Sequence, residues 1–295
     1  MRNIMITGFT GFLGTHLVKE LSIHSNVKTF GFTRREKMDH VVEGVHRVYT
    51  MTDWMNCKIP FEKIDLVIHC GFARESNGAE LAKSLDFSSK FMNDSVSQGV
   101  SSLINISSQS VYGSCGGIHS ENDDIKPSYP YALAKYASEI ITANAAKDVS
   151  YTNIRLAGLA GGRPAKKVGV LPLFVKKVME NESIMVKDGN NILSFMDVRD
   201  AASGIASLAM IDPTLWQSVY NLGNDWQISV IDLAKEVLEV GTQFCTGLPE
   251  IIIENLDRKI DTGLIIDRIQ EQTAWAAQYS LEDIITTLFY DMTGC

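Results

Sequence analysis

The sequence predicts an α/β fold, a doubly wound parallel sheet, and three observations carry the prediction. Short apolar runs alternate with helical stretches through the first half of the chain. The first run ends in a glycine-rich turn. The longest apolar stretch, near residues 168–175, is broken by Gly169 and Pro172, far short of the ~20 residues a bilayer span needs. Alternation of this kind sets parallel strands side by side with helices on both faces.

The elements follow in order. Ile4, Met5 and Ile6 make a short buried strand ending at Thr7, and residues 12–20 make the helix after it. Gly8, Gly11 and Gly14 lie in the turn between them. In a strand-to-helix turn the first such glycine bends the chain, the second lets the backbone approach an anion, and the third lets the helix pack on the strand. The helix N-terminus adds unpaired N–H groups, so the turn suits a phosphate. Its spacing is GxxGxxG rather than GxGxxG, and taken alone a plain turn explains it equally well. Further strands are read at residues 27–32, 45–49, 66–70, 103–107 and 152–156. Residues 1–155 therefore fit one unit. Beyond it come a loop-like stretch at 158–167, a helix near 171–180 and the turn Lys187-Asp188-Gly189-Asn190-Asn191, where a second, smaller region begins. Ser229 with Asp232 and Ser280 with Asp283 have capping-box spacing, with Asp in place of the usual Glu or Gln, and mark two C-terminal helices.

Bulk properties exclude several classes. A chain of 295 residues, 45% hydrophobic and 21% charged, has the composition of a soluble globular protein. A net charge of −8 leaves no basic stripe for nucleic acid. The N-terminal apolar run contains the glycine turn and lacks a small-residue cleavage site, so it reads as strand rather than signal peptide, and a cytoplasmic location is the expectation. Cys57, Cys70, Cys115, Cys245 and Cys295 are odd in number and show no CxxC pair or Cys/His cluster, so reduced thiols and no metal are expected.

Two later segments give the glycine turn its meaning: Ile106-Ser107-Ser108-Gln109-Ser110-Val111-Tyr112-Gly113, which follows an apolar strand, and Tyr131-Ala132-Leu133-Ala134-Lys135, which opens a helix after Pro130. Tyr131 and Lys135 share one helix face. Of the nine tyrosines, Tyr131 alone has a lysine four residues on, and it falls 23 residues after Ser108. Glycine turn, serine strand end and Tyr/Lys helix, in this order, resemble the extended short-chain dehydrogenase/reductase family, the NAD(P)-dependent epimerase/dehydratase group. Val67-Ile68-His69-Cys70-Gly71, Phe195-Met196-Asp197-Val198-Arg199-Asp200, Tyr220-Asn221-Leu222-Gly223 and Trp275 with Ser280-Leu281-Glu282 extend the resemblance along nearly the whole chain. It implies a Rossmann-type dinucleotide-binding domain over 1–155, with the sheet completed by about 191–223. A discontinuous substrate-binding region, 156–190 and 224–295, is implied with it.

The resemblance also implies hydride transfer between nicotinamide and a sugar carbon, coupled to proton transfer at the attached oxygen. Tyr131 is the implied proton donor or acceptor. A phenol titrates near ~10, so it needs a cation to favour the phenolate, and Lys135 is placed to supply one. In the family this Lys also bonds the nicotinamide ribose, while the Ser matching Ser108 holds the substrate oxygen. Gly8, Thr10, Gly11, Phe12, Leu13, Gly14 and Cys70 are the further cofactor contacts implied. An NAD site carries a carboxylate about 20 residues beyond the glycines, whereas Arg accommodates a 2′-phosphate. Here Arg34 and Arg35 stand there, and residues 28–33 contain no Asp or Glu. An arginine fork binds phosphate bidentately, so NADP (NADPH) is the expected cofactor and NAD the alternative. The other reading of the pair is a surface feature balanced by Glu36. Asp53 resembles part of the adenine-side segment, but Thr50 stands where an adenine-contacting Asp is common.

Departures narrow the reaction. Gln109 and Ser110 replace the Asp-Glu of family members that eliminate water, which argues against a 4,6-dehydratase. Members that epimerise twice and then reduce carry a Cys just beyond the Ser; Cys115 lies past Tyr112-Gly113 instead. The expectation is an NADPH-dependent reductase acting on a keto group of a nucleotide-activated sugar. The alternative is a nucleotide-sugar 4-epimerase with bound NAD. A non-catalytic NADP-binding regulator is opposed by the intact Ser108, Tyr131 and Lys135. Ile192, Leu193 and Ser194 follow the Asp-Gly turn where an Arg often holds the diphosphate; Arg258 resembles the family's second such Arg, or is an exposed loop residue. A homodimer is expected through helices 79–98 and 131–146. Leu81, Leu85, Met92 and Val96 make one apolar face on the first, Phe87 and Phe91 another, and the second helix is rich in Ala.

Overall fold

The computed structural model describes the chain apart from residues 37–41, 75–76, 114–116, 164, 166–168, 258–260 and 294–295. Among the described residues the central sheet has seven strands: β1 (Arg2–Thr7), β2 (Val27–Thr33), β3 (Val45–Thr50), β4 (Leu66–His69), β5 (Ser102–Ser108), β6 (Ser150–Leu156) and β7 (Val219–Leu222). They are all parallel and run β3-β2-β1-β4-β5-β6-β7 across the sheet. The strand order turns back at β1, whose neighbours are β2 and β4. Connections leave β1 and β4 toward opposite sides of the sheet, and a crevice opens at the carboxyl ends of these strands, the usual ligand position in such sheets.

The helices are α1 (Phe12–Ser22), α2 (Met51–Met55), α3 (Gly78–Ser97), α4 (Pro130–Ala145), α5 (Val170–Met179), α6 (Val198–Met210), α7 (Val230–Gly241), α8 (Asp267–Thr273) and α9 (Leu281–Thr293). Strand residues alternate between two cores. Ile4, Ile6, Leu66, Ile68, Ile104 and Ile106 pack with Leu17, Val18 and Leu21 of α1 and Ala201, Ile205 and Leu208 of α6. Met5, Val67 and Leu103 pack on the other face with Phe87, Phe91 and Met92 of α3. Because both faces are covered, the two central strands carry consecutive apolar residues, Ile4-Met5-Ile6 in β1 and Leu66-Val67-Ile68 in β4. A third core lies outside the sheet, between α5, α7 and α9.

Local chemistry sets the helix starts. Pro130 occupies the first turn of α4, Asn77 accepts from the Ala79 N–H at the head of α3, and Ser229 accepts from the Asp232 N–H at the head of α7. Ser280 and Asp283 exchange hydrogen bonds at the head of α9. The two apolar faces read on α3 are not both free for a partner subunit. Leu81, Phe87, Phe91 and Met92 are all buried within the chain, because α3 lies on the sheet with its flank against α4, and Leu85 and Val96 stay half-buried. No helix among the described residues is long and apolar enough to cross a membrane.

Candidate active site

The crevice holds a cavity of about 550 Å³ walled by the glycine turn, the loop after β4, the end of β5 and the start of α4. Gly8 has φ +69°, and a Cβ there would lie 2.7 Å from the Gly71 Cα of the loop after β4. At Gly14 a Cβ would lie 2.2 Å from the Gly8 carbonyl oxygen. Only glycine permits these two backbone approaches, and they draw the α1 N-terminus up to the cavity wall. Gly11, Phe12 and Leu13 line the wall beside it. Thr10 instead lines a neighbouring cavity of about 820 Å³, together with Lys19 and Arg163.

Ser108 ends β5, Tyr131 lies in the first turn of α4, and Lys135 follows one turn later; all three face the 550 Å³ cavity. The Ser108 hydroxyl, which accepts from the Ser110 N–H at 3.2 Å, lies beside the Tyr131 phenol and slightly favours its ionised form. Lys135 is 4% exposed, and its Nζ donates to the Ile106 carbonyl at 2.8 Å. Burial pulls the lysine down to about 7. The sequence led us to expect Lys135 to lower the phenol. Burial instead raises Tyr131, and the cation that opposes this is Arg74. The Lys135 Nζ lies 6.0 Å from the Tyr131 ring centroid and is itself starved of water, which limits its charge.

Behind the cavity lies a buried network. Glu139, one turn past Lys135, accepts from Ser107 Oγ at 2.5 Å and pairs with Arg155 through Nε at 3.0 Å and Nη2 at 2.8 Å. Arg155 donates onward to the Tyr112 hydroxyl at 2.9 Å, and Tyr112 to Asn221 at 2.7 Å. Those bonds to Glu139 hold the Arg155 guanidinium well above its ordinary value despite burial.

Arg34 and Arg35 follow β2 outside both cavities. Arg34 lies 5.9 Å over the Phe87 ring, and neither arginine has an ion pair among the described residues. Glu36 does not balance them: its Oε1 accepts from the Thr52 N–H at 3.2 Å, at the head of α2. Asp53 is taken up by a capping box with Thr50. Cys70 lines the cavity, and burial pushes its thiol up to about 12. Gln109 and Ser110 also line it, and the Gln109 Oε1, Ser110 Oγ and nearby Ser194 Oγ have no hydrogen-bond partner. Arg258, Cys115 and Cys295 lie outside the described residues. No group of His, Cys, Asp and Glu among the described residues is arranged to hold a metal.

Sequence reasoning missed Arg74 and Phe72, which line the cavity, and the Glu139–Arg155 pair. Only Glu139 carried a signal, its i,i+4 spacing to Lys135. Arg74 and Phe72 sit in an irregular loop without periodicity.

Comparison with known proteins settles the family. The family model "NAD dependent epimerase/dehydratase family" matches residues 4–223. The chain belongs to this family. It is thus an NAD(P)-dependent enzyme of the extended short-chain dehydrogenase/reductase type. It is 26% identical over 260 residues to a putative UDP-glucose 4-epimerase of Methanocaldococcus jannaschii, covering 78% of this chain and 79% of that one. It is 25% identical over 280 residues to a dTDP-4-dehydro-6-deoxy-D-allose reductase of Streptomyces sp, covering 85% and 83%. Among solved structures, MoeE5 in complex with UDP-glucuronic acid and NAD superposes with a TM-score of 0.82 at 22% identity over 99% of both chains. The UDP-glucose 4-epimerase of Thermotoga maritima with UDP-glucose gives 0.80 at 21% identity, over 99% of this chain and 100% of that one.

Proposed function

We propose that the enzyme is an NADPH-dependent reductase of a keto group on a nucleotide-activated sugar. The observation that carries the chemistry is the convergence of Ser108, Tyr131 and Lys135 on one cavity walled by the glycine turn. The residues fit a dinucleotide: the close backbone approaches at Gly8 and Gly14 bring the α1 N-terminus to the cavity wall, and Arg34 and Arg35, without an ion pair among the described residues, follow β2 at the position that suits a 2′-phosphate. When bound, the nicotinamide supplies the hydride. Ser108 and Tyr131, side by side on the cavity wall, both present hydroxyls to a carbonyl oxygen entering between them. Burial keeps the phenol protonated at neutral pH, so Tyr131 gives its proton to the oxygen as that atom gains charge. Arg74 then offsets the phenolate left behind, and Lys135 holds the ribose.

Two observations favour a sugar substrate. Gln109 and Ser110 line the cavity, and their Oε1 and Oγ, without a partner among the described residues, suit a ligand rich in hydroxyls; similar relatives are named for nucleotide sugars. Arg34 and Arg35, without an ion pair among the described residues, favour NADPH, and with it net reduction. A 4-epimerase with retained NAD is the second reading, favoured by the 4-epimerases among the similar proteins. A homodimer through α4 is part of the proposal: Leu133 and Ile140 lie one above the other on its outer face, 55% and 47% exposed.

The test incubates purified enzyme with NADPH and UDP- or dTDP-linked 4-keto sugars and follows absorbance at the reduced nicotinamide. The expected result is stoichiometric cofactor oxidation. Tyr131→Phe should lower turnover by roughly 10²–10⁴-fold while NADPH affinity holds. Interconversion of UDP-glucose and UDP-galactose with tightly retained NAD would replace the reductase reading by the epimerase.

A further inference from the structure

The surroundings of Lys135 contain a competitor for it. Its Nζ spends one N–H on the Ile106 carbonyl, and the Phe72 ring centroid lies 4.1 Å away. No carboxylate pairs with this cation among the described residues. The nearest acid on its own helix, Glu139, has both oxygens committed to Ser107 and Arg155. From the loop after β4, Arg74 adds like charge, and Cys70 beneath it keeps its proton. On α4 itself the Tyr131 ring is 6.0 Å away and neutral. The aromatic face of Phe72 is therefore what compensates the ammonium on the cavity side.

Phe72 is also free to leave. Among the described residues it belongs to none of the hydrophobic cores, and no other aromatic ring packs on it. Its backbone is pinned on both sides: the Gly71 N–H donates to Thr7 Oγ1 at 3.2 Å, the Phe72 N–H to the Cys70 carbonyl at 3.1 Å, and the Ala73 N–H to Ser84 Oγ at 3.1 Å. The loop stays put, so the ring moves by side-chain rotation alone. Phe72 and Lys135 line the same cavity as the glycine turn.

We propose that Phe72 is a placeholder that competes with the cofactor for Lys135: its ring covers the ammonium and must yield when the cofactor's ribose takes a hydrogen bond from it. The inference rests on the reading, given above, that Lys135 receives the ribose. Its consequence is an exchangeable cofactor, held less tightly than the remaining contacts allow, as an enzyme that releases oxidised cofactor each turnover requires.

The experiment measures Kd and release rate for NADPH, and in parallel NADH, in wild type, Phe72→Leu, Lys135→Met and the double variant. Leu keeps most of the bulk and removes the π face. A desolvated cation–π contact of about 1–2 kcal/mol corresponds to roughly 5- to 30-fold, so Phe72→Leu should bind NADPH that much more tightly and release it more slowly. In the Lys135→Met background the same substitution should change Kd less than about twofold, the behaviour of a coupled pair. A packing defect loosens binding; relief of competition tightens it. Phe72→Ala gives the same sign and serves if the leucine variant does not fold. Unchanged or weaker binding in Phe72→Leu overturns the proposal, as does tightening that persists without Lys135. Because the readout is binding, tightening in a protein that reduces no carbonyl compound leaves this inference standing and removes the reductase reading. If Lys135→Met leaves Kd untouched, the ribose contact falls and the placeholder with it.

Discussion

Replacing Lys135 by Met should make the cofactor-free enzyme more stable, and the gain should depend on pH. The buried ammonium titrates at about 7 in the fold against 10.5 when solvated. At 1.36 kcal/mol per pH unit, that difference amounts to roughly 5 kcal/mol of folding free energy lost while the lysine is charged in both states. Below pH 7 the whole penalty applies. Between about 7 and 10.5 the unfolded chain binds a proton that the folded one releases, so wild-type stability rises with pH until the penalty is gone. Methionine fills a similar volume without charge, at the cost of about 1 kcal/mol for the lost bond to the Ile106 carbonyl. A net gain of roughly 2–4 kcal/mol at pH 6 follows, shrinking toward zero or below by about pH 10. Urea denaturation of both proteins at half-unit steps from pH 6 to 9.5 measures it. A variant less stable than wild type at pH 6, or a gap that does not change with pH, would refute the reasoning.

The remaining predictions concern the cofactor cradle and the surface. Removing Arg34 and Arg35 together should raise the NADPH Kd by roughly 10- to 100-fold, the loss expected for charge-assisted hydrogen bonds to a phosphate, and leave NADH binding nearly unchanged; a wild type that prefers NADH sinks the assignment. Gly14→Ala places a methyl 2.2 Å from the Gly8 carbonyl oxygen and 2.6 Å from the Phe9 Cα, so it should lower stability by about 1–3 kcal/mol and abolish measurable cofactor binding, read by thermal melting with and without NADPH. Leu133→Asp with Ile140→Asp should give a folded monomer by light scattering, and a wild type that is already monomeric at micromolar concentration removes the dimer.

The sheet was legible because its signals are local and repeated. Apolar runs separated by helical stretches predict a parallel sheet without any long-range information, and Gly8 and Gly14 mark the first crossover because a Cβ there would lie 2.7 and 2.2 Å from neighbouring backbone atoms. Element ends shifted by a residue or two: β6 begins at Ser150 rather than Thr152, as main-chain pairing with Ser102 and Leu103 extends past the apolar core. The partner face of α3 was misjudged for a plainer reason. A helical wheel shows two apolar stripes but not which neighbours cover them, and here the sheet and α4 cover most of both.

Within the site, residue types were legible and their electrostatics were not. Ser108, Tyr131 and Lys135 are recognisable by spacing, yet spacing says nothing of how much water reaches each group. A lysine expected to tune a tyrosine turns out to be the more perturbed of the two, because burial strips it of water while the oxygens of Glu139, its counter-ion at i,i+4, are bound by Arg155 from β6 and by Ser107 from β5. Those partners lie 16 and 32 residues from Glu139 in the chain. Only the fold brings them to it, and in doing so it leaves a buried cation facing the cavity with a carbonyl and an aromatic ring for company. That arrangement opposes stability at neutral pH and favours any ligand that hydrogen-bonds Lys135. In the proposed reductase, the lysine that weakens the fold is the group that gives a bound cofactor its hold.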